Sequence, residues 1–204
     1  MAGATTAAPV ATQERVLDGA LRAFGTRGYE GTSLDAIAAD LGIRKQTILY
    51  HFPSKELLLE AVIDRAGAEL VAALEGALAR SGPGWGRVEA IVRSVFRLAA
   101  RRPELLGLLR EVSRLGPPPA TQLRLRLEPF VAAATVYLDE EMRAGAIRRQ
   151  DSRLLLLAAY SAVIGMATEV EVLRAVGLEP TARNLVRRRA ELLAFLRSAL
   201  LAEA

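Results

Sequence analysis

Apolar residues return every three or four positions along nearly all 204 residues of this chain, and glycine and proline cut the periodic stretches. A chain so patterned must bury its stripes helix against helix, so the expected class is all-α. The only strand-like alternation is Leu123-Arg124-Leu125-Arg126-Leu127. Val16, Leu17, Ala20, Leu21 and Phe24 form a first stripe, opened near Thr12 and closed by Gly25 and Gly28. Thr32 or Ser33 can cap a second helix, with Asp35 in its first turn and Ile37, Ala38 and Leu41 facing inward. Gly42 ends it. Ile43 anchors the turn, and a third helix runs from about Arg44 to near Phe52, where Pro53 disfavours helical geometry. Ser54 caps a longer helix reaching roughly Arg80, and 81–86 is a loop. Further helices are expected at about 87–102, 103–115, 121–144, 152–176 and 181–202, with a kink or later start at Pro129. The total is about nine: three short helices in a small N-terminal domain, then six longer ones. The expected boundaries are a flexible leader at 1–11, a reading domain at 12–53 and a larger helical domain at 54–204.

Composition excludes several classes. Without cysteine there is no disulfide, thiol nucleophile or thiolate site, and a single histidine argues against a histidine metal cluster. The Ala/Thr-rich run Met1–Thr12 lacks the basic start and apolar core of a signal peptide. Leu154–Ala167, the most apolar stretch, is shorter than the ~20 residues of a membrane span, so a soluble, cytoplasmic protein is expected. No phosphate-binding Gly-Lys-Ser/Thr loop and no Gly-x-Ser-x-Gly occurs, and Gly82-Pro83-Gly84-Trp85-Gly86 has no strand before it. The pattern is not that of an enzyme, and no cofactor or metal is expected.

The net charge of +4 is not what points to a partner, because residues 1–55 hold six Lys/Arg against five acids. The local pattern does. Both lysines, Lys45 and Lys55, and the only histidine, His51, fall in the acid-free window 44–55. Ala38, Gly42, Ile43 and Ile48 have the spacing of a helix–turn–helix, whose second helix presents its N-terminal residues to base edges in the major groove. Arg44 and Lys45 can donate to guanine O6 and N7, and Gln46 can pair with adenine. Thr47, Tyr50 and His51 suit phosphate, which positions without reading sequence. Lys55, in the first turn of the next helix, opposes the helix dipole unless a phosphate docks there. Ser33 completes the candidate DNA contacts. Tyr29 is expected to pack on the first helix, no basic residue before Arg15 supplies a minor-groove arm, and Arg187-Arg188-Arg189 reads as a solvated helix face.

The runs Gly28-Tyr29-Glu30-Gly31-Thr32-Ser33-Leu34-Asp35-Ala36-Ile37-Ala38, Leu41-Gly42-Ile43 and Tyr50-His51-Phe52-Pro53-Ser54-Lys55-Glu56-Leu57-Leu58 resemble the N-terminal domain of the TetR family of bacterial transcriptional regulators. The resemblance covers about 13–60, and the segment 144–151 is also similar. It implies an all-helical homodimer that represses transcription and releases its operator when a small molecule binds the larger domain, 54–204. One departure stands out: Leu49 occupies the slot of the family's phosphate-contacting tyrosine and Tyr50 the next, so either can fill that role.

Leu154–Ala167 is apolar nearly all round and needs cover on every side. The last helix offers Leu185, Val186, Leu193, Leu196 and Leu200, so two such helices from each of two subunits can close a four-helix interface. A dimer would span half-sites about 34 Å apart or a multiple of that. The resemblance puts Trp85, Phe96, Leu105, Leu109, Phe130, Tyr137, Tyr160 and Met166 around the effector pocket, which suggests a small hydrophobic effector. Arg93, Arg97 or Glu169 can supply a polar anchor, although Glu89 with Arg93 also reads as a surface ion pair. A helix–turn–helix regulator without a small-molecule switch is the alternative.

Overall fold

The computed structural model describes residues 7–201, with side chains from Val10 onward. Ten helices occur among the described residues: α1 (Ala7–Arg27), α2 (Leu34–Leu41), α3 (Lys45–His51), α4 (Lys55–Leu78), α5 (Trp85–Arg101), α6 (Pro103–Leu115), α7 (Pro119–Arg143), α8 (Ser152–Thr168), α9 (Val170–Ala175) and α10 (Ala182–Leu200). The fold is all-α, with an N-terminal helix–turn–helix followed by a larger helical part. α1 begins ahead of Thr12 and takes in 7–11 of the expected leader; residues 1–6 lie outside the described residues. No described helix is long and apolar enough to cross a membrane.

The chain forms two compact units. The first comprises residues up to Glu69 together with 104–126. Phe24 and Val16 of α1, Ile37 of α2, Ile48 of α3, Leu58 and Ile63 of α4, and Leu105, Leu106 and Leu108 of α6 are fully buried there. α1 and α6 meet at a pair of glycines. A Cβ on Gly25 would stand 2.1 Å from the Glu104 carbonyl oxygen, and one on Gly107 would stand 2.1 Å from the Gly25 carbonyl oxygen. Only hydrogen fits at either position. Around this core, Arg65 of α4 reaches Asp18 and, at 3.1 Å, Glu14 of α1, while Arg126 of α7 pairs with Asp64 of α4 at 3.0 Å.

The second unit comprises 70–103 and 127–204, with α5, α8 and α10 packed on one another. Val92, Val95, Phe96, Leu138, Met142, Val163, Leu192, Leu196 and Leu200 form its core. The segment after α7 is pinned at the chain's other end, where Arg148 donates from its backbone N–H to the Leu200 carbonyl at 2.9 Å.

Four expectations from sequence are corrected here. The stretch 123–127 is helical, inside α7: Leu123 is buried, Leu127 lies one turn on, and Leu125 is exposed. Its apparent alternation is a helix with leucines on more than one face. Pro129 does not delay α7, which starts at Pro119 and runs through it, so the later start is overturned. The helix expected at 152–176 is two, α8 and α9, divided at Glu169, whose φ of −80° and ψ of 81° leave helical geometry. The C-terminal end of α8 also accounts for Arg188, the middle residue of the arginine run. Arg188 is not solvated but 6% exposed, and its guanidinium donates to the Met166 carbonyl in the last turn of α8 and to the Asn184 carbonyl. A cation at a helix C-terminus meets the negative end of the dipole and serves a carbonyl without an intrahelical partner. Arg187 on the same helix is exposed, as expected, and Arg189 is half-buried.

The glycine contact yields a prediction with a decisive sign. Helix propensity favours alanine over glycine by about 1 kcal/mol. Overpacking against backbone that cannot rotate away costs about 3 kcal/mol, so Gly25→Ala should destabilise the chain in chemical denaturation monitored by circular dichroism. A neutral or stabilising result would mean that α1 and α6 do not meet in this way.

Candidate nucleic-acid interface

α2 and α3 owe their geometry to local chemistry. Ser33 caps α2: its Oγ accepts from the Ala36 N–H at 3.1 Å. Thr32, the other candidate cap, is buried and donates to the Gly28 carbonyl at 2.7 Å instead. Gly42 ends α2 with φ 65°, a left-handed conformation that lets Ile43 N–H return to the Ala38 carbonyl at 3.0 Å. Arg44 then precedes the first turn of α3 in extended conformation, its side chain making no capping bond. Ile48, with no exposure, pins the seven-residue α3 to the core, and Ser54 caps α4 through Leu57 N–H at 3.1 Å.

This anchoring fixes what α3 presents. Arg44, Gln46 and Tyr50 are exposed, with Tyr50 82% exposed. Gln46 and Tyr50 lie one turn apart and share a face. Lys45, Thr47, Leu49 and His51 are half-exposed. The Tyr50 and His51 rings meet edge-on with centroids 5.1 Å apart.

Both lysines are already engaged. Lys45 Nζ lies 2.8 Å from Asp35 Oδ2, across the turn between α2 and α3. The Lys55 ammonium sits 4.0 Å above the centre of the Tyr29 ring, with the neighbouring Glu56 carboxylate stabilised in part by its charge. Tyr29 packs on Phe24 of α1, as expected, with ring centroids 5.5 Å apart. Its hydroxyl donates to Glu56 at 3.1 Å, and its backbone N–H donates to Glu111 Oε1 of α6 at 2.7 Å. Arg114 steadies that carboxylate with donors at 2.8 and 2.9 Å and, with the Tyr29 N–H, holds it below the usual carboxylate range. Ser33, Asp35, Lys45 and Lys55 line one open depression of about 410 Å³ together with Glu30–Leu34 and Ala36. Arg44, Gln46, Thr47, Tyr50 and His51 lie outside it. Asp35, Tyr29 and Glu111 were not among the candidate residues. Asp35 was visible only as a helix-start residue, and nothing local marks Glu111 as a partner of position 29.

The proposed effector residues are divided between the two units. Leu105 and Leu109 are buried in the first unit. Trp85, Phe96, Phe130, Tyr137, Tyr160 and Met166 belong to the second. Phe96 is 2% exposed, whereas Trp85, Phe130, Tyr137 and Met166 are half-buried. The Tyr137 hydroxyl donates to the Gly84 carbonyl at 2.9 Å, closing the loop before α5 onto α7. Tyr160 is 53% exposed and lies on the outer side of α8 with Leu154 and Leu157, not in an interior. Of the anchors considered, Arg93 is paired with Glu89 at 2.5 Å.

A sequence profile described as "Bacterial regulatory proteins, tetR family" matches residues 16–62, the span just described. By this match, residues 16–62 are similar to the tetR family's regulatory proteins. Among curated TetR-family relatives, IcaR of Staphylococcus aureus (strain Newman), the negative transcriptional regulator of the biofilm operon icaADBC, is 40% identical over 48 residues. IcaR of Staphylococcus epidermidis (strain ATCC 35984) is 36% identical over 44 residues. These matches cover 24% and 22% of this chain and only 26% and 24% of the relatives. The fold likeness extends much further. A TetR regulator from Chloroflexus aurantiacus superposes with a TM-score of 0.74 at 24% identity, over 95% of this chain and 98% of that one. A putative regulator from Saccharomonospora viridis in complex with choline gives 0.76 at 19%, over 95% and 100%. AibR, in complex with isovaleryl coenzyme A and operator DNA, gives 0.76 at 20%, over 90% and 97%. The fold of these solved proteins therefore spans most of the chain, while the curated relatives match it over only 48 and 44 residues.

Burial, with Glu56 beside the hydroxyl, pushes the Tyr29 phenol up to about 12. The folded protein thus holds this proton more tightly than the unfolded chain, where tyrosine ionises near 10. The resulting stabilisation is complete below pH about 10 and fades as pH rises toward 12. In paired urea titrations, the stability advantage of wild type over Tyr29→Phe should shrink between pH 9 and 11. An advantage that grows with alkalinity would contradict this environment for Tyr29.

Proposed function

We propose that this chain is a transcriptional repressor that binds a palindromic operator as a homodimer and releases it on binding a small hydrophobic effector. The observation that carries the DNA-binding part is the outward face of α3. A seven-residue helix, fixed through Ile48, holds Arg44, Gln46 and Tyr50 in solvent at the end of a TetR-family helix–turn–helix. Residues 12–53 act as the reading domain and 54–204 as the effector and dimerisation domain. Arg44, Lys45 and Gln46 read base edges. Ser33, Thr47, Tyr50, His51 and Lys55 take phosphates, Tyr50 supplying the hydroxyl that Leu49 lacks.

Dimerisation is supported by what α8 and α10 leave uncovered. Leu154, Leu157 and Tyr160 of α8 are 64%, 59% and 53% exposed, and Val186 and Phe195 of α10 are 55% and 63% exposed. The two helices pack on each other, so these side chains give one subunit the apolar faces a symmetric four-helix contact needs. For the effector, half-buried Trp85, Phe130, Tyr137 and Met166 of the second unit supply apolar and aromatic side chains, with Phe96 buried in the same unit. The fold it shares with AibR, whose structure holds isovaleryl coenzyme A and operator DNA, supports a small-molecule ligand in a DNA-binding protein of this architecture. α4 starts at Lys55 and continues past Glu69, so it is one continuous helix leading from the recognition elements into the second unit. Effector and operator then bind antagonistically, each weakening the other by the same factor.

Selection of bound duplex from a random pool tests the reading directly, and a symmetric site with half-sites about 34 Å apart or a multiple is the expected result. Lys55→Ala should weaken binding to all sequences alike and flatten the salt dependence by about one unit. Lys45→Ala should instead change the selected sequence. Sedimentation of Phe195→Glu should give a monomer, where the wild type gives a dimer, with much weaker operator binding. A wild-type monomer at micromolar concentration would remove the paired-head mechanism.

A further inference from the structure

Lys45 and Asp35 form an ion pair at the rim of the depression that also holds Ser33 and Lys55. Both side chains remain open to solvent, Lys45 at 41% and Asp35 at 68%. A pair this exposed contributes little to folding, which leaves its position to be explained by what it presents. Asp35 lies in the first turn of α2, where the helix dipole favours an acid. Lys45 opens α3, where the dipole disfavours a cation, and the carboxylate offsets that cost.

An ammonium already paired with a carboxylate makes a poor phosphate clamp, because the arriving phosphate also meets the acid. The two lysines therefore differ in kind: Lys55 rests on an aromatic face, and Lys45 on an anion. What suits the second arrangement is a neutral surface with acceptors beside a donor. The major-groove edge of a G·C pair offers guanine N7 and O6 as adjacent acceptors, then the cytosine N4 amino donor. Lysine has three N–H donors; with one on Asp35, two remain for O6 and N7. The second carboxylate oxygen of Asp35 is then free to accept from N4. An A·T pair fits worse, because its N6 donor lies between two acceptors, N7 and O4, which would repel the carboxylate on both sides.

We propose that Asp35 and Lys45 act together as a reader of one G·C pair in each half-site, with Asp35 the specificity-determining residue for the cytosine. This rests on the reading of α3 as a groove-binding helix and adds to it an acidic base contact from α2.

The test uses the full-length protein on the duplex it selects. Each half-site should contain a G·C pair that becomes a free position when the selection is repeated with Asp35→Ala. Replacing that cytosine with N4-methylcytosine keeps the base pair and puts a methyl where the outward N–H was. Wild type should lose on the order of tenfold in affinity on the modified duplex, and Asp35→Ala should not distinguish the two duplexes. The base modification leaves the protein untouched, so a folding defect cannot imitate the result. Equal wild-type affinity for both duplexes, or an unchanged G·C preference in Asp35→Ala, would overturn the inference while leaving sequence-specific binding standing. Absence of any selected sequence would instead remove the underlying reading.

Discussion

A helix of seven residues has no stability of its own in water, because nucleation costs more than so few hydrogen bonds return. α3 exists only because its middle residue is gripped. Ile48 is fully buried in the core that holds Phe24 and Ile37, and burial of such a side chain contributes about 1.5–3 kcal/mol. Turn chemistry then does the aiming: Gly42 in left-handed conformation sets where α3 begins, and Pro53 follows shortly after its end. Every exposed side chain between them inherits its direction from that one buried isoleucine.

Around this anchor the first unit ties side chains from three helices to one tyrosine. Tyr29 packs on Phe24, carries Lys55 on its ring, donates through its hydroxyl to Glu56, and donates through its backbone to Glu111. Each contact alone is modest; a cation–π contact at an exposed site contributes about 0.5–1 kcal/mol. Together they place the ammonium of α4 and the end of α1 against one ring, and the carboxylate of α6 on the same residue's backbone. A few residues away, Gly25 and Gly107 remove any slack between α1 and α6. The position of Lys55 is thus set by α6 as much as by its own helix.

Much of this was legible in the sequence where the cause was local. Ser33 as a cap, Gly42 as a stop and the break before Pro53 are short-range steric and hydrogen-bonding effects, and they define α2 and α3 closely. The reading of Tyr29 as a packing residue followed from the same stripe that holds Phe24. What escaped were causes that reach across the chain. The Glu111 contact with Tyr29 joins residues 82 positions apart, and nothing near either announces it. Arg188 looked like part of a solvated basic run because its acceptor is a backbone carbonyl, which has no signature in residue type. The break at Glu169 hid in an apolar periodicity that continues unbroken through it. Asp35 was seen for its effect on a helix dipole and not for its neighbour across the turn. Tyr160 showed why spacing alone cannot assign an apolar residue to a pocket, since inner and outer faces of α8 are both greasy.

The chain carries two lysines, and both border the same depression on the first unit. Amine-directed acylation of side chains is thereby confined to one small patch, with arginine, which such reagents spare, everywhere else. Labelling at those two nitrogens would act as a footprint of whatever occupies that surface, without any engineered tag or probe.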